Sequence, residues 1–249
     1  MKYLALSIMM LLLSACSHNV KQQKTCKTTE LKEDIPALTF PEICYTKPLF
    51  KPSNLHAIRA HLGSPIYMRI FKAEQILELW IKVGKRYKRL NTYPILKTSG
   101  ELGPKTFQGD RQNPEGVYFI NIGRLNRFSK YHLAMDIGYP NKLDRSLGRT
   151  GNYIMIHGNR KSIGCFAMGD DGIEDIYPIA YTALDLGQRY FKVAIYPFIM
   201  NEQNMQDYEG HPWHSFWEEL KVGYDIFEKT HLPPDVTMKD GVYTFKPYR

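Results

Sequence analysis

Tyr153-Ile154-Met155-Ile156-His157-Gly158-Asn159-Arg160-Lys161-Ser162-Ile163-Gly164-Cys165-Phe166-Ala167-Met168 is the stretch around which the chain is organised. Side chains alternate along a strand, so Ile154 and Ile156 face one way while Tyr153, Met155 and His157 face the other. Gly158 ends that strand, and a basic loop brings the chain back to Cys165. Seven residues separate His157 from Cys165, enough for one loop to let the two side chains meet at the end of a sheet. Gly164 has no Cβ, which permits close backbone approach and frees the amides of Gly164 and Cys165 to face one point, where an oxyanion would sit.

A free cysteine with a pKa of ~8.5 is only a few per cent thiolate near neutrality and needs help to act as a nucleophile. His157 can take the thiol proton, and Arg160 and Lys161 would favour the resulting anion. This suits acyl transfer. Two other readings stand beside it: a strand end in which His157 and Cys165 merely pack, and a zinc site. Zinc is the weaker of these, because only two soft ligands lie close together and no Cys-x-x-Cys or His-x-x-x-His accompanies them. No metal or cofactor is expected, and no Gly-rich phosphate loop precedes a helix to support nucleotide use.

His157-Gly158 followed by Ser162-Ile163-Gly164-Cys165 resembles the signature of the YkuD-type L,D-transpeptidase catalytic domain. The resemblance extends to Ser64-Pro65-Ile66-Tyr67, Gly100-Glu101-Leu102-Gly103-Pro104-Lys105, Asn113-Pro114-Glu115-Gly116 and Ile195-Tyr196-Pro197-Phe198, and within the family it points to the YafK (DpaA) branch. It implies a β-sandwich with a helix after the catalytic loop. It also implies Cys165 as nucleophile and His157 as base, with the Gly158 carbonyl holding the imidazole, Ser162 steadying the loop, and peptidoglycan stem peptides as substrate, attacked at the L-centre carbonyl of diaminopimelate. Most members read Ser-His-Gly-Cys with an arginine two residues after the cysteine, whereas this chain has Ile163 and Ala167. The YafK-like branch shares the missing histidine, and that likeness implies hydrolysis of the link to a Braun-type lipoprotein. The alternatives are a transpeptidase that forms cross-links or attaches lipoprotein, and a wall-binding scaffold without chemistry.

Working outward, residues 1–15 carry one basic residue and an apolar run too short for a permanent span of ~20 residues, which reads as a secretory signal. Leu13-Ser14-Ala15-Cys16 resembles a bacterial lipobox, implying a lipidated Cys16 and a membrane anchor. Ser17, where an aspartate would signal inner-membrane retention, points to the outer membrane and the periplasm. Residues 16–63 form a tether rich in Lys, Thr and Pro. Cys26 and Cys44 can close a loop within it, which would leave Cys165 unpaired.

Residues 64–200 are expected to hold the catalytic domain. Ile66, Met68 and Ile70 alternate with Tyr67, Arg69 and Phe71, Ile76 to Val83 forms a second run, and Gly84-Lys85 turns the chain. Tyr87 to Thr98 and Val117 to Ile122 supply two more strands around a Gly/Pro/Asp-rich loop at 100–116. This density of short strands gives a mainly β fold, a sandwich or half-open barrel. Arg124 to Thr150, including Tyr131, reads as a long loop without periodicity. A helix is expected from Asp171, capped by that side chain with Glu174 reaching back, and bent or interrupted at Pro178. In the extension 201–249, Trp213, Phe216, Trp217, Leu220, Tyr224 and Phe227 mark one face of a helix packed on the domain. His211, His214 and His231 have no metal-ligand spacing.

The formal charge is +8. The basic residues are not gathered into one helix or an aromatic-flanked stripe, so no nucleic-acid partner is expected. Anionic wall polymers and lipids fit an exported basic chain better.

Overall fold

The computed structural model describes residues 62–248. The expected leader, Cys16, Cys26, Cys44 and all of the expected tether but its last two residues lie outside the described residues.

Strand β1 (Ile66–Phe71) is buried along its whole length. Its alternation separates two cores: Ile66, Met68 and Ile70 enter one, and Tyr67 and Phe71 enter the other. On one side it pairs antiparallel with β2 (Ile76–Val83), which pairs with β3 (Arg86–Pro94). On the other it runs parallel to β9 (Phe191–Tyr196), which pairs with β4 (Gly116–Ile120). The resulting five-stranded sheet has the order β3-β2-β1-β9-β4. A second sheet joins β5 (Leu125–Ser129), β6 (His132–Asp136), β7 (Met155–His157) and β8 (Phe166–Ala167) in chain order. Leu133, Met135, Ile156 and Phe166 of this sheet share the first core with β1 and with helix α2 (Gly169–Asp185). The fold is therefore a mainly β sandwich with a helix after the loop that carries Cys165.

The outer face of the five-stranded sheet is covered by the C-terminal part of the chain. Helix α4 (His214–Thr230) buries Phe216, Trp217, Leu220, Tyr224 and Phe227, the stripe that the sequence spacing predicts. Phe227 meets Tyr67 at 4.8 Å and Trp80 at 4.9 Å between ring centroids. Full burial of such a side chain contributes roughly 1.5–3 kcal/mol, so this aromatic layer holds the helix on the sheet. Arg69 lies within it, paired with Glu78 at 2.6 Å and Glu228 at 2.5 Å, so its buried charge is compensated.

Several elements differ from the sequence reading. The third strand stops at Pro94, and the fourth begins one residue early and ends two early. Residues 124–150 are not one long loop: they hold β5, β6 and the short helix α1 (Lys142–Ser146), capped by a reciprocal Asn141–Asp144 box. The first of these strands is mostly exposed and so shows no apolar alternation. Helix α2 starts two residues before Asp171, at Met168 and Gly169, with no side-chain cap. Glu174 does not reach back, because its carboxylate meets His132 at 2.8 Å. Pro178 does not interrupt the helix; the hydroxyl of Thr182 donates to its carbonyl at 2.7 Å. After the short helix α3 (Glu202–Asp207) and α4, strands β10 (Asp235–Lys239) and β11 (Val242–Lys246) form a hairpin around Asp240 and Gly241 at φ 54° and 77°. An Asp-Gly pair between alternating runs is the sequence signal for such a turn.

Just past β1, the ammonium of Lys72 is buried. It donates to the carbonyls of Glu101 at 2.9 Å and Gly103 at 2.7 Å, and to Glu115 Oε1 at 2.9 Å. Glu115 also accepts from the Trp217 indole at 2.7 Å and from the Gly103 amide at 2.7 Å. Burial lowers the pKa of Lys72, and Glu115 opposes that shift. Glu115→Ala would leave this cation buried and unpaired, so we expect a loss of about 3–5 kcal/mol in chemical denaturation. Asp225→Ala, which breaks the surface pair with Lys221, should change stability by less than about 0.5 kcal/mol.

Candidate active site

Strands β7 and β8 run parallel, with Ile156 opposite Phe166 and His157 opposite Ala167. Extended by one residue, this register sets Cys165 beside Met155. Residues in register share a face, so Met155, His157 and Cys165 point together, away from the core that takes Ile156 and Phe166. The Cα atoms of His157 and Cys165 are then roughly 8 Å apart, one strand across and two residues along. The Met155 amide donates to Cys165 Sγ at 3.4 Å.

His157 is buried, with 1% of its surface exposed. Its Nδ1 lies 2.5 Å from the Gly158 carbonyl. A carbonyl only accepts, so Nδ1 carries the proton and Nε2 presents its lone pair. The Tyr131 ring stacks on the imidazole at 4.8 Å between centroids. Gly158 is needed at its position, since a Cβ there would come within 2.8 Å of the Tyr131 carbonyl and 2.7 Å of Asp170 Oδ1. Burial lowers the pKa of His157 below its ordinary 6.5, against the hydrogen bond to Gly158.

The thiol donates to the Tyr153 carbonyl at 3.5 Å. Burial raises its pKa above the ordinary 9.0, the Met155 amide lowers it, Asp136 raises it and Lys105 lowers it. Both shifts favour a neutral thiol beside a neutral imidazole over an ion pair. Arg160 and Lys161 are exposed, and the cation acting on the thiol is the buried Lys105, which is itself paired with Asp110 at 2.5 Å. The sequence reading of Arg160 and Lys161 as the charges beside the thiol is corrected accordingly: their side chains face solvent.

The loop before Cys165 is tied from three directions. The Ser162 hydroxyl donates to the Cys165 carbonyl at 2.6 Å. Asn113 Nδ2 donates to the carbonyls of Gly164 at 3.0 Å and Cys165 at 2.7 Å, while its Oδ1 accepts from the Ser99 amide at 2.6 Å. The Gly164 amide donates to Ser99 Oγ at 2.6 Å. That last bond corrects the expectation of two converging amides, because the Gly164 N–H is already engaged and the Cys165 N–H alone has no acceptor among the described residues. Gly164 sits at φ +88°, where a side chain would be strained. Ser99, Asn113, Lys105 and Tyr131 were not singled out for the site by sequence reasoning; the Asn-Pro-Glu-Gly run was the one signal bearing on Asn113.

The YkuD family, described as the L,D-transpeptidase catalytic domain, matches residues 65–195. The chain belongs to this family. It is 42% identical over 209 residues, 84% of this chain and 85% of the relative, to "Putative L,D-transpeptidase YafK" of Escherichia coli strain K12, and equally to the protein of that name from Escherichia coli O157:H7. Among solved structures, it is similar to the helical cell shape determining protein Pgp2 from Campylobacter jejuni, with 18% identity, 76% of this chain and 80% of that chain covered, and a TM-score of 0.43. As a YkuD domain, the protein is a cysteine enzyme of the L,D-transpeptidase family. Among the described residues no three His, Cys, Asp or Glu side chains are grouped to hold a metal ion.

A neutral resting thiol has a direct consequence. The rate of Cys165 alkylation by iodoacetamide in the folded protein should climb through a midpoint above 9.0, so labelling at neutral pH is slower than for an unperturbed thiol. A midpoint well below that value, with fast labelling at pH 7, would indicate a preformed thiolate–imidazolium pair instead.

Proposed function

We propose that the protein is a periplasmic cysteine peptidase that acts on peptidoglycan and hydrolyses the amide between the L-centre carbonyl of diaminopimelate and the terminal lysine of a Braun-type lipoprotein. The observation that carries this reading is the fixed imidazole: His157 holds its proton on Nδ1 toward Gly158 and offers Nε2 on the face that Cys165 shares. Membership of the YkuD family supports the substrate class. The exposed Ile163, 73% accessible, supports hydrolysis, because no second proton acceptor stands where most family members have a histidine.

In the first half-reaction Cys165 Sγ attacks the carbonyl carbon while Nε2 of His157 takes the thiol proton. The Cys165 amide donates to the developing oxyanion, a type of contact whose removal costs ~3 kcal/mol in other acyl-transfer enzymes. Collapse breaks the carbon–nitrogen bond, and His157 gives its proton to the departing lysine amine. Water then attacks the thioester as His157 accepts one of its protons. The second collapse returns that proton to sulfur and frees a diaminopimelate carboxyl. A neutral imidazole is required at the outset, and the lowered pKa favours that form.

The relatives' name, L,D-transpeptidase, favours a second reading, in which an acceptor amine takes the place of water and the product is a cross-link or attached lipoprotein. A lipid on Cys16, holding the enzyme at the outer membrane within reach of the wall, belongs to either reading. Purified protein incubated with lipoprotein-bearing sacculi should release lipoprotein, and Cys165→Ala should release none while unfolding at the same denaturant concentration. Accumulation of new L,D cross-links would assign the enzyme to transpeptidation. Binding to sacculi without any covalent change would leave a scaffold.

A further inference from the structure

At the end of β1 opposite Lys72 lies a cavity of about 380 Å³, walled by the first residues of β1, the end of β2, the start of β3, residues 188–192 and residues 232–235. The six residues of β1 separate it from the Lys72 end of the sheet, where the loop holding Cys165 is anchored, a distance of roughly 20 Å. It is not part of the catalytic cleft. Its volume falls within the range of small-ligand sites, on the order of 300–1,000 Å³.

Its chemistry is cationic and aromatic. Lys82, Arg189 and Lys192 line it against the single carboxylate of Asp235, which faces Lys192 at 3.7 Å. Among the described residues Lys82 and Arg189 have no ion-pair partner. Tyr190 is 45% exposed while its ring is braced edge-on by Phe119 at 5.3 Å, and Tyr248 is 55% exposed. The wall is preformed, because Gln188 bonds both the amide and the carbonyl of Ile66, at 2.8 and 2.9 Å.

Half-exposed tyrosine rings, beside a lysine and an arginine with no acidic partner among the described residues, match a ligand with apolar C–H faces and carboxylates. The negative face of a tyrosine ring receives the C–H face of a sugar, and lysine and arginine receive the carboxylates of the peptides that the glycan carries. We infer that this cavity is a second binding site, for a carboxylate-bearing glycan strand, and that it holds the wall polymer while Cys165 acts on a stem peptide. The choice of polymer rests on the peptidoglycan reading above.

The test is cosedimentation of the Cys165→Ala protein with purified sacculi, compared with the same protein carrying Lys82→Glu and Arg189→Glu, or Tyr190→Ala. The double charge reversal is expected to weaken binding at least about fivefold at low salt, and Tyr190→Phe should retain it. With Cys165 intact, the Lys82→Glu/Arg189→Glu enzyme should keep kcat/KM on a soluble muropeptide substrate and show a raised KM on sacculi. Unchanged binding by the double variant overturns the inference. So does a loss confined to phosphatidylglycerol vesicles, which would make the cavity a lipid-surface contact. Because binding is read on protein without the thiol, a failure of the proposed hydrolysis leaves this result standing.

Discussion

Lys72 sits at the boundary between sheet and loop, with its ammonium enclosed by the carbonyls of Glu101, Gly103 and Asn113 and by Glu115. A buried cation requires such partners, and here they fix the path of the whole segment 101–115. That segment delivers Asn113 to the carbonyls of Gly164 and Cys165. From its other oxygen Glu115 reaches the Trp217 indole in α4. The C-terminal helix, the central strand and the catalytic loop are therefore joined through one charged pair, which gives the aromatic cover of the sheet a part in placing the nucleophile.

In the proposed reaction the site favours a proton-coupled attack over a standing thiolate. Burial works on both partners in the same sense, raising Cys165 and lowering His157. Each shift disfavours charge in the resting state. An amide substrate has a poor leaving group that must be protonated as it departs, and a thiol that passes its proton to His157 during attack leaves the proton where the amine needs it. The carbonyl of Gly158 takes the orienting role that a carboxylate has in other triads, and it adds no negative charge to the imidazole.

How much of this was legible in the chain depended on the range of the contact. The alternation in Ile66 to Phe71 was readable because both faces of that strand are buried, and the structure sorts its residues into two cores accordingly. His157 and Cys165 were readable because they are close in sequence. Asn113 was not, since its partners lie 51 and 52 residues away and no periodicity links them. The start of α2 differs because the cap position falls on Met168, which makes no side-chain cap, and Asp170 and Asp171 lie in the first turn, where Asp170 accepts from the Asn159 amide at 2.6 Å. The loop cations were misjudged for a related reason, as sequence proximity placed Arg160 and Lys161 near the thiol while solvent took their side chains. The Asp240-Gly241 turn, by contrast, was written in the sequence and passed over.

In the proposed reaction Cys165 forms an acyl-enzyme which water resolves. The most direct measurement is digestion of lipoprotein-bearing sacculi in ¹⁸O-labelled water, followed by mass spectrometry of the stem peptides. The expected product is a freed diaminopimelate carboxyl carrying one labelled oxygen, formed by the wild-type protein and absent with Cys165→Ala. Stem peptides that instead carry a new amide and no label would contradict it.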